Sequence, residues 1–220
     1  MSKLFLLASV ISLLMADCEP DIENNKRVII KGEITTPQGN PIQDIEVTSS
    51  VEEYVLGKTL SKANGSFKMV SAESFDESYI INVNKKTENN YTSAKILRDE
   101  DEIGRPEIYD LGSIFLLPTS NFTLTVTKTS NTDKQLYTHI NYLDTSCVYY
   151  FNDGLNENPS RCYEEFSSSK KTNELNSNLD FNFQVIRDTP IQITYQLGDD
   201  PAVTIEVTPN QPNFDYEITY

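Results

Sequence analysis

Short runs in which apolar and polar residues alternate at every second position recur from Val28 to the C-terminal tyrosine. They restrict the fold more than any other feature of the chain. A period of two places successive side chains on opposite faces of a strand, so each run reads as a half-buried β-strand. Val28, Ile30 and Ile34 share one side of such a run. Ile45 and Val47 face inward in the next, and further runs lie at Glu53 to Leu60, Tyr79 to Asn84, Tyr91 to Leu97 and Asp110 to Leu116. Between them stand turn residues: Pro37-Gln38-Gly39-Asn40-Pro41, and Asn64-Gly65, whose composition fits the positive φ values of a two-residue hairpin turn. About seven short strands with no helical stretch predict an antiparallel sandwich over 27–118.

The same signal resumes in Phe122, Leu124 and Val126. It continues in Phe181, Phe183 and Val185, in Ile191, Ile193, Tyr195 and Leu197, in Val203, Ile205 and Val207, and in Phe214, Tyr216 and Ile218. A second β-sandwich, immunoglobulin-like in architecture, is expected over 119–220. A chain of 220 residues has room for two such cores. The fold class expected is therefore all-β, with two antiparallel β-sandwich domains.

In the first of these, Gly32-Glu33-Ile34-Thr35, Pro37-Gln38-Gly39-Asn40-Pro41-Ile42, Ile45-Glu46-Val47, Asn64-Gly65-Ser66-Phe67 and Asp110-Leu111-Gly112-Ser113-Ile114-Phe115-Leu116 fall in one order. This series resembles the carboxypeptidase regulatory-like domain over about ninety residues. The resemblance implies a seven-stranded, transthyretin-like Greek key without catalytic residues, of the kind attached to peptidases, outer-membrane receptors and surface lipoproteins. Gln38 replaces the usual acidic residue before Gly39, and Lys62-Ala63 replaces a Thr-Asp pair; both are turn positions.

At the N-terminus a basic head, Met1-Ser2-Lys3, precedes an apolar run from Leu4 to Met15 and then Ala16-Asp17-Cys18. The run is shorter than the ~20 residues a bilayer-spanning helix needs, and residues 1–18 read as an export signal. Leu14-Met15-Ala16-Asp17-Cys18 resembles a bacterial lipobox, with Asp17 where Gly, Ala or Ser is usual. Glu19-Pro20-Asp21-Ile22-Glu23 resembles the acidic stretch that follows the lipidated Cys in surface lipoproteins of Bacteroidetes-type bacteria. The resemblance implies lipidation at Cys18, a polar tether over 19–26, and the membrane as a partner through an N-terminal lipid anchor, at the outer membrane or cell surface. Two acyl chains suffice for stable attachment.

The other two cysteines, Cys147 and Cys162, form an even pair in an exported chain and predict a disulfide. Around them, Val148 to Leu179 is the most irregular stretch, and Ser167-Ser168-Ser169-Lys170-Lys171 reads as a flexible excursion. Tyr149, Tyr150 and Tyr163 allow two readings. They form a recognition surface offering ring faces to a glycan or a cell-surface protein, or they alternate into the core of a long hairpin.

Charge and composition narrow the function. Eighteen Lys plus Arg against thirty-three Asp plus Glu give a net charge of -15, which argues against a nucleic-acid partner. One histidine, His139, cannot supply a multi-His metal site. The run Arg98-Asp99-Glu100-Asp101-Glu102 lacks the alternate spacing of an EF-type calcium loop and reads as a solvated acidic loop between strands. No catalytic residue, metal site or cofactor is assigned. The chain is expected to be a non-enzymatic surface binding or structural module. The alternatives are an accessory subunit of an uptake or adhesin complex and a secreted carbohydrate-active protein using paired carboxylates.

Overall fold

The computed structural model describes residues 22–74, 79–85, 89–98 and 106–220. The signal segment with Cys18, and the acidic run beginning at Asp99, lie outside the described residues. Among the described residues are sixteen strands and no helix, so the chain is all-β as the alternation requires.

The first seven strands are β1 (Ile22–Thr35), β2 (Glu46–Val51), β3 (Tyr54–Leu60), β4 (Ser66–Ser74), β5 (Tyr79–Val83), β6 (Ser93–Arg98) and β7 (Ile108–Phe115). They build two facing sheets, ordered β4-β1-β7 and β6-β5-β2-β3. Val28, Ile30, Ile34, Ile45, Val47, Ile81, Ile96, Tyr109 and Leu111 fill the space between them, each at most 2% exposed. β1 already begins at Ile22, which pairs with Ser74, so strand takes up the second half of the segment expected as a tether.

The remaining strands are β8 (Thr119–Thr127), β9 (Leu136–Leu143), β10 (Ser146–Phe151), β11 (Leu155–Cys162), β12 (Glu165–Lys171), β13 (Leu179–Ile186), β14 (Ile191–Leu197), β15 (Val203–Val207) and β16 (Asn213–Thr219). Seven of them form sheets ordered β13-β8-β16 and β12-β9-β14-β15 around a second core that contains Phe122, Leu124, Ile140, Phe181 and Ile193. Setting β10 and β11 aside, the order of the first sandwich is repeated strand for strand. The opening strand lies in the middle of a three-stranded sheet, antiparallel to the fourth and parallel to the seventh. These parallel neighbours depart from a purely antiparallel pattern for a simple reason. A chain that reverses at every crossing returns its seventh strand in the direction of its first.

Two local expectations change. The Asn64-Gly65 turn does not close a two-residue hairpin. Gly65 N–H donates to Lys62 O at 2.8 Å and Lys62 N–H to Ser66 O at 2.9 Å, only Gly65 (φ 78) is left-handed, and the turn carries the chain from one sheet to the other. A Cβ on Gly65 would stand 2.5 Å from Ile34 O, so the corner is closed to any other residue. The serine-rich stretch at 167–171 is not a free excursion either. It is edge strand β12, paired along its length with β9, its small polar side chains suiting a strand with one solvated side.

Candidate functional site

The feature that sets this molecule apart is where β10 and β11 go. In the first sandwich the second and third strands are joined by the short turn Glu52-Glu53; in the second the same connection is opened to hold a complete hairpin. That hairpin leaves its own sandwich and extends the first one. β10 runs parallel to β6, in register from Ser146↔Ser93 to Phe151↔Arg98, so the long sheet reads β11-β10-β6-β5-β2-β3. Residues 119–220 therefore contribute to both sandwiches, which the alternation pattern alone did not indicate.

The alternation within β10 drives this docking. Cys147 and Phe151 point inward and are 1% and 2% exposed, and Tyr149, Leu155, Cys162 and Tyr163 pack against the same first core. The Phe151 ring lies 5.0 Å from that of Tyr109, and Tyr109 lies 5.9 Å from Tyr79. Burying side chains of this size contributes roughly 1.5–3 kcal/mol each, enough to hold an added hairpin on an otherwise bare edge. The Cys147–Cys162 disulfide is present and joins residues directly opposite each other in the β10–β11 ladder, so the hairpin docks as one unit.

The three tyrosines expected as a recognition surface do not share a face. Tyr149 points into the first core while its neighbour Tyr150 points outward, as adjacent residues of a strand must. Tyr163 packs on the core in a left-handed backbone (φ 57), and burial pushes its phenol pKa up despite a hydrogen bond with Thr92.

Beneath the hairpin lies a buried ion pair. Glu73 is 0% exposed, and its carboxylate accepts a hydrogen bond from Arg98 Nη1 at 2.9 Å; Arg98 also donates to Ser74 O at 2.9 Å and lies 4.7 Å over the Tyr79 ring. Tyr109 and Tyr79 both have raised pKa values, from burial first and from the Glu73 charge as a further cause, so both stay protonated phenols. The cluster joins β4, β5, β6 and β7 at the end of the sandwich where Phe151 docks. Sequence reasoning missed it because Glu73 and Arg98 are twenty-five positions apart and Arg98 read only as the head of a solvated acidic loop.

The connection between sandwiches is bonded on both sides. Thr92 N–H donates to Leu117 O at 2.8 Å, Thr119 N–H to Asn90 O at 2.8 Å and Ser93 N–H to Thr145 O at 2.9 Å, while Arg187 Nη2 donates to Thr119 O at 2.9 Å.

A different surface is rich in amides and hydroxyls, with Glu165 and Glu206 at one end and Lys171 and Asp199 at the other. On the outer face of β12-β9-β14-β15, the ladder aligns Ser167, Asn141, Gln192 and Glu206 in one row and Ser169, His139, Thr194 and Thr204 in the next. His139 Nδ1 lies 2.6 Å from Ser169 Oγ, Tyr137 donates to the same oxygen at 3.1 Å, and the Thr194 and Thr204 hydroxyls are 2.9 Å apart. Shallow depressions of about 270 and 350 Å³ lie at the two ends, beside Asn141 and Gln192 and beside Tyr137 and Gln196. Among the described residues no group of three or more His, Cys, Asp or Glu is placed to hold a metal ion.

No family model matches the chain, and no curated protein matches it. Solved structures similar to it include the TIE protein of Bacillus anthracis, at 15% identity and a TM-score of 0.31 over 89% of this chain and 34% of that one. A streptococcal ancillary pilin follows at 6% and 0.28, over 90% of this chain and 63% of that one. A candidate cell adhesion protein from Bacteroides ovatus stands at 11% and 0.31, covering 90% of this chain and 93% of that one. This chain thus spans about a third and under two thirds of the first two. At TM-scores of this size the likenesses carry no conclusion about what the chain does.

Proposed function

We propose that this protein is a non-enzymatic binding or structural module displayed on a bacterial surface, anchored through a lipid on Cys18. The observation that carries the reading is the docked hairpin. Two sandwiches joined by a short connector would ordinarily pivot about it. Here a strand of the second is built into a sheet of the first, and a disulfide holds that strand's hairpin together. Such a construction holds a distal face at a fixed distance and angle from an anchor, which is what a displayed module requires. The even cysteine pair and the apolar run from Leu4 to Met15 before Cys18 support an oxidising, exported setting.

The binding face is the outer surface of β12-β9-β14-β15. Its amides and hydroxyls, with Tyr137, match the hydroxyl-rich chemistry of a glycan, with Glu165 and Glu206 making one end acidic and Lys171 and Asp199 flanking the other. The series from Gly32 to Leu116 that resembles a carboxypeptidase regulatory-like module supplies the membrane-proximal half. Its role is support, not chemistry.

Intact mass and N-terminal peptide analysis of the protein extracted from native membranes tests the anchor: acyl chains on Cys18 are expected, and an unmodified Cys18 overturns it. Glycan-array binding by the native chain, lost on Asn141→Ala with Gln192→Ala, tests the face. Binding that survives the double substitution places the ligand elsewhere.

A further inference from the structure

We propose that the outer face of β4-β1-β7 binds a phosphate that carries a primary ammonium group, in the recess bounded by Lys62, Lys68 and Glu33. This goes beyond the surface-module reading and adds a binding role to the half assigned there to support.

The register fixes which side chains share this face. Ser66, Lys68 and Val70 of β4 stand beside Glu33, Lys31 and Ile29 of β1, and Ser113, Asp110 and Ile108 of β7 complete the three rows. A recess of about 410 Å³ opens over the first two rows, with Lys62 at its rim. Small residues make the room. Ser66 and Ser113 flank Glu33, and open space lies where a Cβ on Gly112 would stand. Beneath, a Cβ on Gly32 would come within 2.9 Å of Gly112 O and 3.0 Å of the Phe67 ring, so the strands under the recess are tightly closed. Three segments of the series that runs from Gly32 to Leu116 thus meet at one place.

The charges at this place do not balance within the chain. Lys31 and Lys68 are directly opposite each other on neighbouring strands, an arrangement that destabilises when the charges are alike. Asp110 relieves only Lys31, whose Nζ it meets at 2.8 Å. Lys62, Lys68 and Glu33 make no ion pair among the described residues. In a chain with 33 acidic and 18 basic side chains, two lysines without a carboxylate at one recess point to an anion from outside. Lysine serves phosphate as a point charge, whereas a carboxylate is better matched by the fork of an arginine. Glu33 would repel a bare phosphate. It lies about 7 Å along the strand from the lysine row, where an ammonium joined to the phosphate by a short linker can reach it.

This chemistry belongs to an aminophospholipid headgroup and to soluble phosphates alike. The headgroup as source rests on the Cys18 anchor. Ile22 opens β1 four residues after Cys18, so the strand begins within about 14 Å of an acylated residue. Between that end and the recess the same face carries Arg27 and the row Val70, Ile29 and Ile108, whose outer members are 60% and 47% exposed; this suits a sheet lying flat on headgroups.

The test uses residues 18–220 with Cys18→Ser, which contain every described residue. O-phosphoethanolamine is titrated at neutral pH while the amide resonances of Gly32, Glu33, Gly112 and Ser113 are followed by NMR. Saturable shifts with a Kd in the millimolar range are expected, several-fold tighter than for inorganic phosphate. Lys62→Ala with Lys68→Ala should weaken both ligands about tenfold or more. Glu33→Gln should remove the preference for O-phosphoethanolamine while phosphate still binds, and Lys58→Ala on the facing sheet should change neither. Failure to saturate at these amides, or a preference that survives Glu33→Gln, overturns the proposal. Vesicles separate the sources. Co-sedimentation with mixed phosphatidylethanolamine and phosphatidylcholine vesicles but not with phosphatidylcholine alone, lost in the double lysine variant, supports the proposal with a headgroup as ligand. Soluble binding without co-sedimentation supports it with a free phosphate as ligand. No step needs an acyl chain, so an unmodified Cys18 would defeat the anchor and leave this test intact.

Discussion

Phe151→Ala separates this structure from one in which each half of the sequence folds on its own. Phe151 belongs by sequence to the second half but is 2% exposed in the first core, 5.0 Å from the Tyr109 ring. Truncating a buried phenylalanine costs about 3–5 kcal/mol, from lost transfer energy and the cavity left behind. The ring lies at the end of the docked strand, where part of the cavity can open to solvent, so we expect the lower end, about 3 kcal/mol. For a chain of this size each kcal/mol moves Tm by roughly 2–4 °C, which gives a fall of about 6–12 °C. The chain has no tryptophan, so far-UV circular dichroism and tyrosine emission follow the melt. Location is read by amide exchange. A loss of about 3 kcal/mol corresponds to roughly a hundredfold faster exchange through opening, expected in Ser93–Arg98 of β6. A Tm shift below about 2 °C, with β6 exchange unchanged, would refute the reasoning.

Three further outcomes follow from the same region. Replacing both Cys147 and Cys162 with alanine frees a crosslink of sequence separation 15, which should cost about 3 kcal/mol and appear as a lowered urea midpoint. Glu73→Ala leaves the Arg98 guanidinium buried without its carboxylate and should cost about 3 kcal/mol, with Ser74 O still accepting one of its hydrogen bonds; Glu73→Gln, which retains an acceptor, should cost less. Burial and the Glu73 charge raise the Tyr79 and Tyr109 pKa values, so these phenols contribute stability that is fully present below the unfolded tyrosine value near ~10 and is lost as pH rises beyond it. In an alkaline titration the phenolate absorbance of the folded chain should therefore fall short of all twelve tyrosines until circular dichroism reports unfolding.

Much of this architecture is legible in the sequence because a period of two needs only local information. The run from Val28 to Ile34, the pair Ile45 and Val47, and Phe122, Leu124 and Val126 are buried as alternation requires. Asp110-Leu111-Gly112-Ser113 also reads as a strand, although Gly112 is left-handed (φ 57) and sits in a register shift where two residues of β7 face one of β1. What alternation does not carry is partnership. β10 has the same pattern as a strand of the second core, and nothing in Cys147, Tyr149 and Phe151 states which core they fill. The repeated topology is hidden for a related reason. A two-residue turn at Glu52-Glu53 and an excursion from Asp144 to Glu164 occupy equivalent positions, and the difference in length disguises the equivalence. The serines of β12 carry no apolar signal at all, so that strand is visible only through its pairing with β9.

The central claim is that the docked hairpin makes one rigid body of two sandwiches, and residual dipolar couplings test it most directly. Backbone couplings are measured for the native chain and for one in which residues 144–164 are replaced by the Glu-Glu turn that joins β2 to β3. A single alignment tensor should fit both sandwiches of the native chain, and two distinct tensors should be needed once the hairpin is gone. Two tensors in the native chain, or one in the trimmed chain, would contradict the account.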